Sequence, residues 1–172
     1  MTLRGIKKRV ALFLVNILFC GTKPYFWNIK RNLLNWAGYS IGENTKIVGP
    51  LRIFGNLKIG DNCWVGTDFT VHGNGTVIIG NSCDIAPDVI FLTGSHKIGD
   101  SRRRAGEGLN YEIKKGDGVW IGARSTILGN IEIGSGCIIG ACSLVNKSFS
   151  DNKMIAGIPA QVIKELPSDV RS

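Results

Sequence analysis

Ile121-Gly-Ala-Arg-Ser-Thr-Ile127-Leu-Gly-Asn-Ile-Glu-Ile133-Gly-Ser-Gly-Cys-Ile-Ile139-Gly-Ala-Cys-Ser-Leu-Val145 sets an aliphatic residue at every sixth position, and Gly122, Gly134 and Gly140 follow three of them directly. A helix repeats at about 3.6 residues and a strand at two, so neither sustains a six-residue period over several cycles. A coil of short strands and bends does. Run backwards, the register passes through Ile41, Ile47, Ile53, Ile59, Val65 and Val71, slips by two residues at Gly73-Asn74-Gly75-Thr76, and resumes at Ile79, Ile85 and Phe91. Four residues after the aliphatic position comes a second, small inward candidate: Thr45, Cys63, Cys83, Ser125, Cys137 and Ser143. Such hexads are the signature of an all-β fold, a parallel β-helix in which each rung buries its apolar face only against its neighbours. The glycine after the aliphatic residue is expected to let the backbone bend at a corner where a Cβ would crowd.

The chain of 172 residues is 44% apolar and carries a net charge of +8. That charge is unevenly placed. Residues 1–42 hold Arg4, Lys7, Lys8, Arg9, Lys23, Lys30 and Arg31 and no acid, whereas the remainder has 14 basic against 13 acidic residues. The coil is therefore nearly neutral, which argues against a nucleic-acid partner and assigns the charge to the leader. Of the five cysteines, three fall in the small inward slot, no CxxC is present and the count is odd. These features favour packing over metal ligation or disulfides, and a reducing compartment, the cytoplasm.

Residues 1–40 form a separate unit. A basic start followed by the apolar run Val10 to Cys20 is similar to a secretory signal, but Phe19 before Cys20 fits no cleavage pattern and the run is too short to span a bilayer. We expect a retained helix with Ile6, Val10, Phe13, Leu14, Ile17 and Leu18 on one face, and a second with Phe26, Ile29, Leu33 and Ala37. The pair either caps the open end of the coil or lies, through residues 1–36, on an anionic membrane surface at the inner face of the cytoplasmic membrane.

The ladder occupies 41–155, and its period disappears over residues 97–114, a polar excursion containing Arg102-Arg103-Arg104 that re-enters at Lys115, where an aliphatic residue is expected. Long departures from a regular scaffold are commonly functional. Residues 156–172 read as a loop and a short helix, Gln161 to Leu166. The chain has two histidines. His72 follows a ladder valine with nothing nearby to recommend it, whereas His96 stands at the root of the excursion and is the stronger candidate for chemistry.

Ile85-Ala-Pro87, Thr93-Gly-Ser-His96, Val119-Trp-Ile-Gly122, Ile139-Gly-Ala-Cys-Ser-Leu-Val145 and Ala156-Gly-Ile-Pro-Ala160 together resemble the hexapeptide-repeat acetyltransferases of the maltose/galactoside and polysaccharide O-acetyltransferase type, over residues 41–166. The resemblance implies a left-handed coil, a homotrimer with sites between subunits, acetyl-CoA as co-substrate without a metal, and a sugar or lipid-linked saccharide acceptor in surface polysaccharide biosynthesis. It implies His96 as general base, backbone amides around Gly122, Ala123 and Ala141 with Trp120 beside the thioester, and Lys147 and Lys164 near the phosphates. Gln161 stands where relatives often have Arg. The polar residue that some sugar acetyltransferases carry on the preceding rung is matched by Gly66, which leaves Thr67 or Asp68 as the substitute, with Asp68 the carboxylate able to orient the imidazole. The alternatives are N-acetylation of a nucleotide-linked amino sugar, O-acetylation of serine, and a non-catalytic scaffold. A zinc carbonic anhydrase falls well behind, because three imidazoles are hard to assemble from two positions.

Overall fold

A computed structural model of the chain describes residues 2–168; Met1 of the leader and residues 169–172 of the C-terminal segment lie outside them. The ladder winds as a parallel β-helix with three faces. Ser40–Ile41, Asn56–Ile59, Thr76–Ile79, Glu112–Lys115 and Glu132–Ile133 stack on the first face. The second runs from Lys46–Ile47 through Trp64–Val65, Asp84–Ile85, Trp120–Ile121 and Ile138–Ile139 to Lys153–Gly157, and the third holds Leu51–Ile53, Phe69–His72, Ile90–Leu92, Thr126–Leu128 and Leu144–Val145. The register pairs like with like: Ile47, Val65, Ile85, Ile121, Ile139 and Ile155 lie one above another. This column is buried along its whole length.

The small inward slot also serves as a donor slot. Thr45 Oγ1 donates to the Gly60 carbonyl at 2.7 Å, Ser125 Oγ to Gly140 at 2.9 Å, and the Cys63 and Cys83 thiols to Gly80 and Gly116 at 3.2 and 3.3 Å. Thr, Ser and Cys alternate here because each is small and offers a hydrogen to a carbonyl of the next rung. The hydrogen bond with the Cys83 side chain, together with burial, holds the Cys63 thiol above its ordinary range.

The glycine after each ladder aliphatic acts by close approach. A Cβ on Gly122 would stand 2.4 Å from the Ala141 nitrogen of the next rung. The left-handed backbone that turns the corner belongs instead to the third residue after the aliphatic, as at Asn44, Asn62, Asp68, Ser82, Asp88, Arg124 and Cys142, with φ between 53° and 60°. Asn and Asp tolerate that region better than most side chains.

The leader caps the coil. Helix α1, Leu3–Phe13, loosens into a π-helical turn, Leu14–Leu18, and α2 spans Phe26–Trp36. Each face of the first rung receives polar partners from this pair. On the first face, Asn35 exchanges two hydrogen bonds with the backbone of Ile41, at 2.7 and 3.0 Å. On the third, Asn16 does the same with Leu51, at 2.8 Å each. On the second, Gly21 N–H and the buried Lys30 ammonium both donate to the Val48 carbonyl. The strand edges thus find substitutes for a missing rung. Asn16→Ala is expected to lower the unfolding free energy by about 1–3 kcal/mol, the cost of stranding both groups of Leu51, measured by urea unfolding.

Ala11, Val15 and Leu34 face the coil, whereas Ile6, Val10, Phe13, Ile17 and Leu18 remain exposed. The apolar stripe thus points away from the core while the opposite side of the leader caps the coil. No helix among the described residues is long and apolar enough to cross a membrane.

One further expectation is corrected. Gln161 to Leu166 forms no helix: Ala160–Glu165 is a strand antiparallel to Lys153–Gly157 on the second face. The excursion is likewise ordered, with Gly94–Ile98 paired antiparallel to Ala105–Asn110.

Candidate active site

The excursion leaves the third face at Leu92 and returns to the first at Glu112. Its root is pinned by Thr93, which is fully buried: its backbone N–H and Oγ1 both donate to the His72 carbonyl at 2.8 Å, and Oγ1 accepts from Gly75 N–H at 3.1 Å. This clamp holds the Gly73–Gly75 turn against the base of the hairpin. Between them opens a cleft of about 410 Å³ whose polar lining includes His72, Asn74, Ser95, His96 and Asn110.

His96 sits in the first hairpin strand opposite Gly108, next to a register shift, and its Nδ1 lies 2.9 Å from the Gly106 carbonyl oxygen. A carbonyl can only accept, so Nδ1 carries the hydrogen and, in the neutral ring, Nε2 keeps its lone pair. The imidazole is thereby held as one tautomer with a basic nitrogen. His72, which the sequence did not recommend, lines the same cleft and stacks on Phe54 with ring centroids 5.6 Å apart. Its neighbourhood depends on the turn at Gly73 folding back toward the hairpin, and no local pattern announces that. Thr93 was missed for the same reason.

Asp68 is not brought to His96. It occupies a left-handed corner with its carboxylate 3.9 Å from Arg52 Nη2, and the Gly106 carbonyl meets the ring nitrogen instead.

The Hexapep family model, described as bacterial transferase hexapeptide (six repeats), matches residues 116–147. Galactoside O-acetyltransferase of Escherichia coli K12 is 34% identical over 139 residues, covering 80% of this chain and 68% of that protein. The chain belongs to the hexapeptide-repeat acetyltransferases. Among solved structures, a hexapeptide-repeat acetyltransferase of Vibrio cholerae superposes with a TM-score of 0.82 at 24% identity, covering 95% of this chain and 90% of that one. A galactoside acetyltransferase in complex with coenzyme A gives 0.63 at 24% identity, over 95% and 81%.

In this hexapeptide-repeat acyltransferase the remaining candidates lie on other faces. Trp120 is half-exposed on the outside of the second face, where with Trp64, Asp84 and Pro87 it lines a separate cleft of about 390 Å³. The two clefts share no lining residue. Gly122 N–H already donates to the Ile139 carbonyl at 2.7 Å, so it is not a free donor and the residue's service is spacing. Ala123 and Ala141 N–H find no acceptor among the described residues, and Ala141 is exposed. Lys147 Nζ donates to Gln161 Oε1 at 2.8 Å, so the residue standing where relatives often have Arg is held beside the first candidate cation. Lys164 lies on the last strand opposite Met154. Among the described residues, no group of three or more His, Cys, Asp or Glu is arranged to hold a metal ion.

Proposed function

We propose that the protein transfers the acetyl group of acetyl-CoA directly to a hydroxyl of a sugar destined for a bacterial surface polysaccharide, with His96 as general base. The hydrogen bond from His96 Nδ1 to the Gly106 carbonyl is the observation that supports this most directly, because it leaves Nε2 to accept the hydroxyl proton inside a cleft. A sugar hydroxyl is too weak an acid to attack a thioester unaided. As Nε2 takes its proton, the oxygen bonds to the thioester carbon and the carbonyl becomes an oxyanion. Collapse of that intermediate expels the coenzyme A thiolate, which takes the proton from the imidazolium. The unengaged N–H groups of Ala123 and Ala141 suit the developing oxyanion, and Lys147, Gln161 and Lys164 suit the phosphates.

The polar lining of the His96 cleft supports a polyhydroxylated acceptor, and the relative in complex with coenzyme A supports the donor. We take the coil as left-handed, as the family resemblance implies, and, because the His96 and Trp120 clefts share no lining residue, the working unit as a C3 trimer in which the third face of one protomer meets the second face of the next. Each site would then lie between two chains.

Release of coenzyme A thiol from acetyl-CoA, followed against hexose, nucleotide-linked amino sugar and serine acceptors, tests the reading. Turnover with a hydroxyl sugar is expected; turnover with only the amino sugar or serine overturns it. Lys147→Ala is expected to raise KM for acetyl-CoA about fivefold, the worth of one exposed charge contact, with a smaller effect on dephospho-CoA thioesters if it meets the 3′-phosphate.

A further inference from the structure

We propose that the outer face of α1 docks on an anionic lipid bilayer, seating the enzyme at a membrane surface. Leu3, Ile6, Val10 and Phe13 recur at i, i+3, i+7 and i+10, so they form one stripe. The structure leaves it open: Leu3 is 71%, Phe13 60% and Ile17 64% exposed. The side of α1 and the π-helical turn after it that meets the coil is instead built from Ala11 and Val15, both fully buried, and from Asn16. The helix is therefore already anchored without its largest apolar residues, which would otherwise face water.

The flanking charge identifies the occupant. Around the helix, Lys7 and Arg9 fall on opposite sides of the apolar stripe, the arrangement of a helix that lies in the headgroup plane. Lys7 Nζ stands 5.2 Å over the Trp36 ring, which is itself half-exposed, so the open faces of α1 and α2 adjoin. Residues 1–42 contain seven basic residues and no acidic ones. Arg4, Lys8 and Lys30 bond the carbonyls of Gly38, Gly55 and Val48, and of the four that remain, Lys7, Arg9, Lys23 and Arg31, the first two stand beside the stripe. An apolar band rimmed only by cations matches a surface of phosphate headgroups over acyl chains.

The test is co-sedimentation of the full chain with phosphatidylcholine vesicles that contain or lack phosphatidylglycerol. Binding is expected with the anionic vesicles, weakening as salt is raised. The double variant Phe13→Glu, Ile17→Glu should lose more than tenfold in binding, and Lys7→Gln, Arg9→Gln about tenfold. Both pairs are surface changes, so an unchanged thermal midpoint certifies the fold. Absence of binding to anionic vesicles, or equal binding by the Glu variant, overturns the proposal. So does a fall in mass by light scattering for the Glu variant, which would mean that the stripe covers a second copy of the chain. Vesicle binding is read without acetyl transfer, so its failure and that of the catalytic reading are distinguishable.

Discussion

His96→Ala is expected to lower kcat for acetyl transfer by about 10²–10⁴-fold, the range spanned by a lost general base. The side chain is exposed on a hairpin strand and its one hydrogen bond among the described residues is to Gly106, so the fold should survive with an unchanged unfolding midpoint. KM for acetyl-CoA should stay within about twofold, because the imidazole is assigned to the acceptor's proton and not to donor binding. Asp68→Ala, by contrast, should leave kcat nearly intact, since Asp68 pairs with Arg52. If His96→Ala retains full turnover, the base assignment fails; if Asp68→Ala matches it in severity, a carboxylate reaches the imidazole in the assembled enzyme.

Lys115→Met is expected to stabilise the protein by about 4 kcal/mol at pH 7. Lys115 continues the column of Ile79 and Ile133 on the first face, and its ammonium is buried with no hydrogen-bond partner among the described residues. It lies 5.7 Å from the centroid of the Phe91 ring. Desolvation, only partly countered by the thiols of Cys83, Cys137 and Cys63, pulls its pKa from 10.5 down to about 7. Between those two values the unfolded chain holds a proton that the folded chain has released, so stability rises with pH across the window and levels off above 10.5. Below about 7 both states are protonated and the cost is fully present. Methionine fills similar space without the charge, and its variant should lose that slope. Urea unfolding at pH 7 and pH 9 reads both effects. A variant less stable than the parent would mean that the ammonium finds a thiolate partner worth more than its desolvation.

The coil was legible because its period is enforced by packing: every sixth side chain must enter the shared interior, and the pairing of Ile85 with Val65 and Ile121 follows from that register. The break at Lys115 was visible for the same reason, although the interior position of its ammonium was not. The hairpin escaped because all of Gly94–Ile98 is exposed, so no alternation of apolar and polar residues records the strand. Gln161 to Leu166 carries good helix formers, but the open edge of Lys153–Gly157 captures it, a tertiary contact overriding local preference. In α1 and the turn that follows it the large apolar residues were readable and their direction was not, because the inward side is chosen by Asn16 reaching Leu51, 35 positions away. The candidate site was half readable: His96 stood out by its place at the excursion's root, whereas His72 and Thr93 join it only through the folded turn at Gly73.

The pairing of Asn16 and Asn35 with the first rung has a consequence for self-association. A stack of parallel strands that ends bare would recruit another molecule's terminal rung and grow end to end into a filament. Carboxamides that mimic a strand's hydrogen-bonding pattern, yet offer no backbone beyond themselves, stop that polymerisation at its first step and keep each prism a discrete particle.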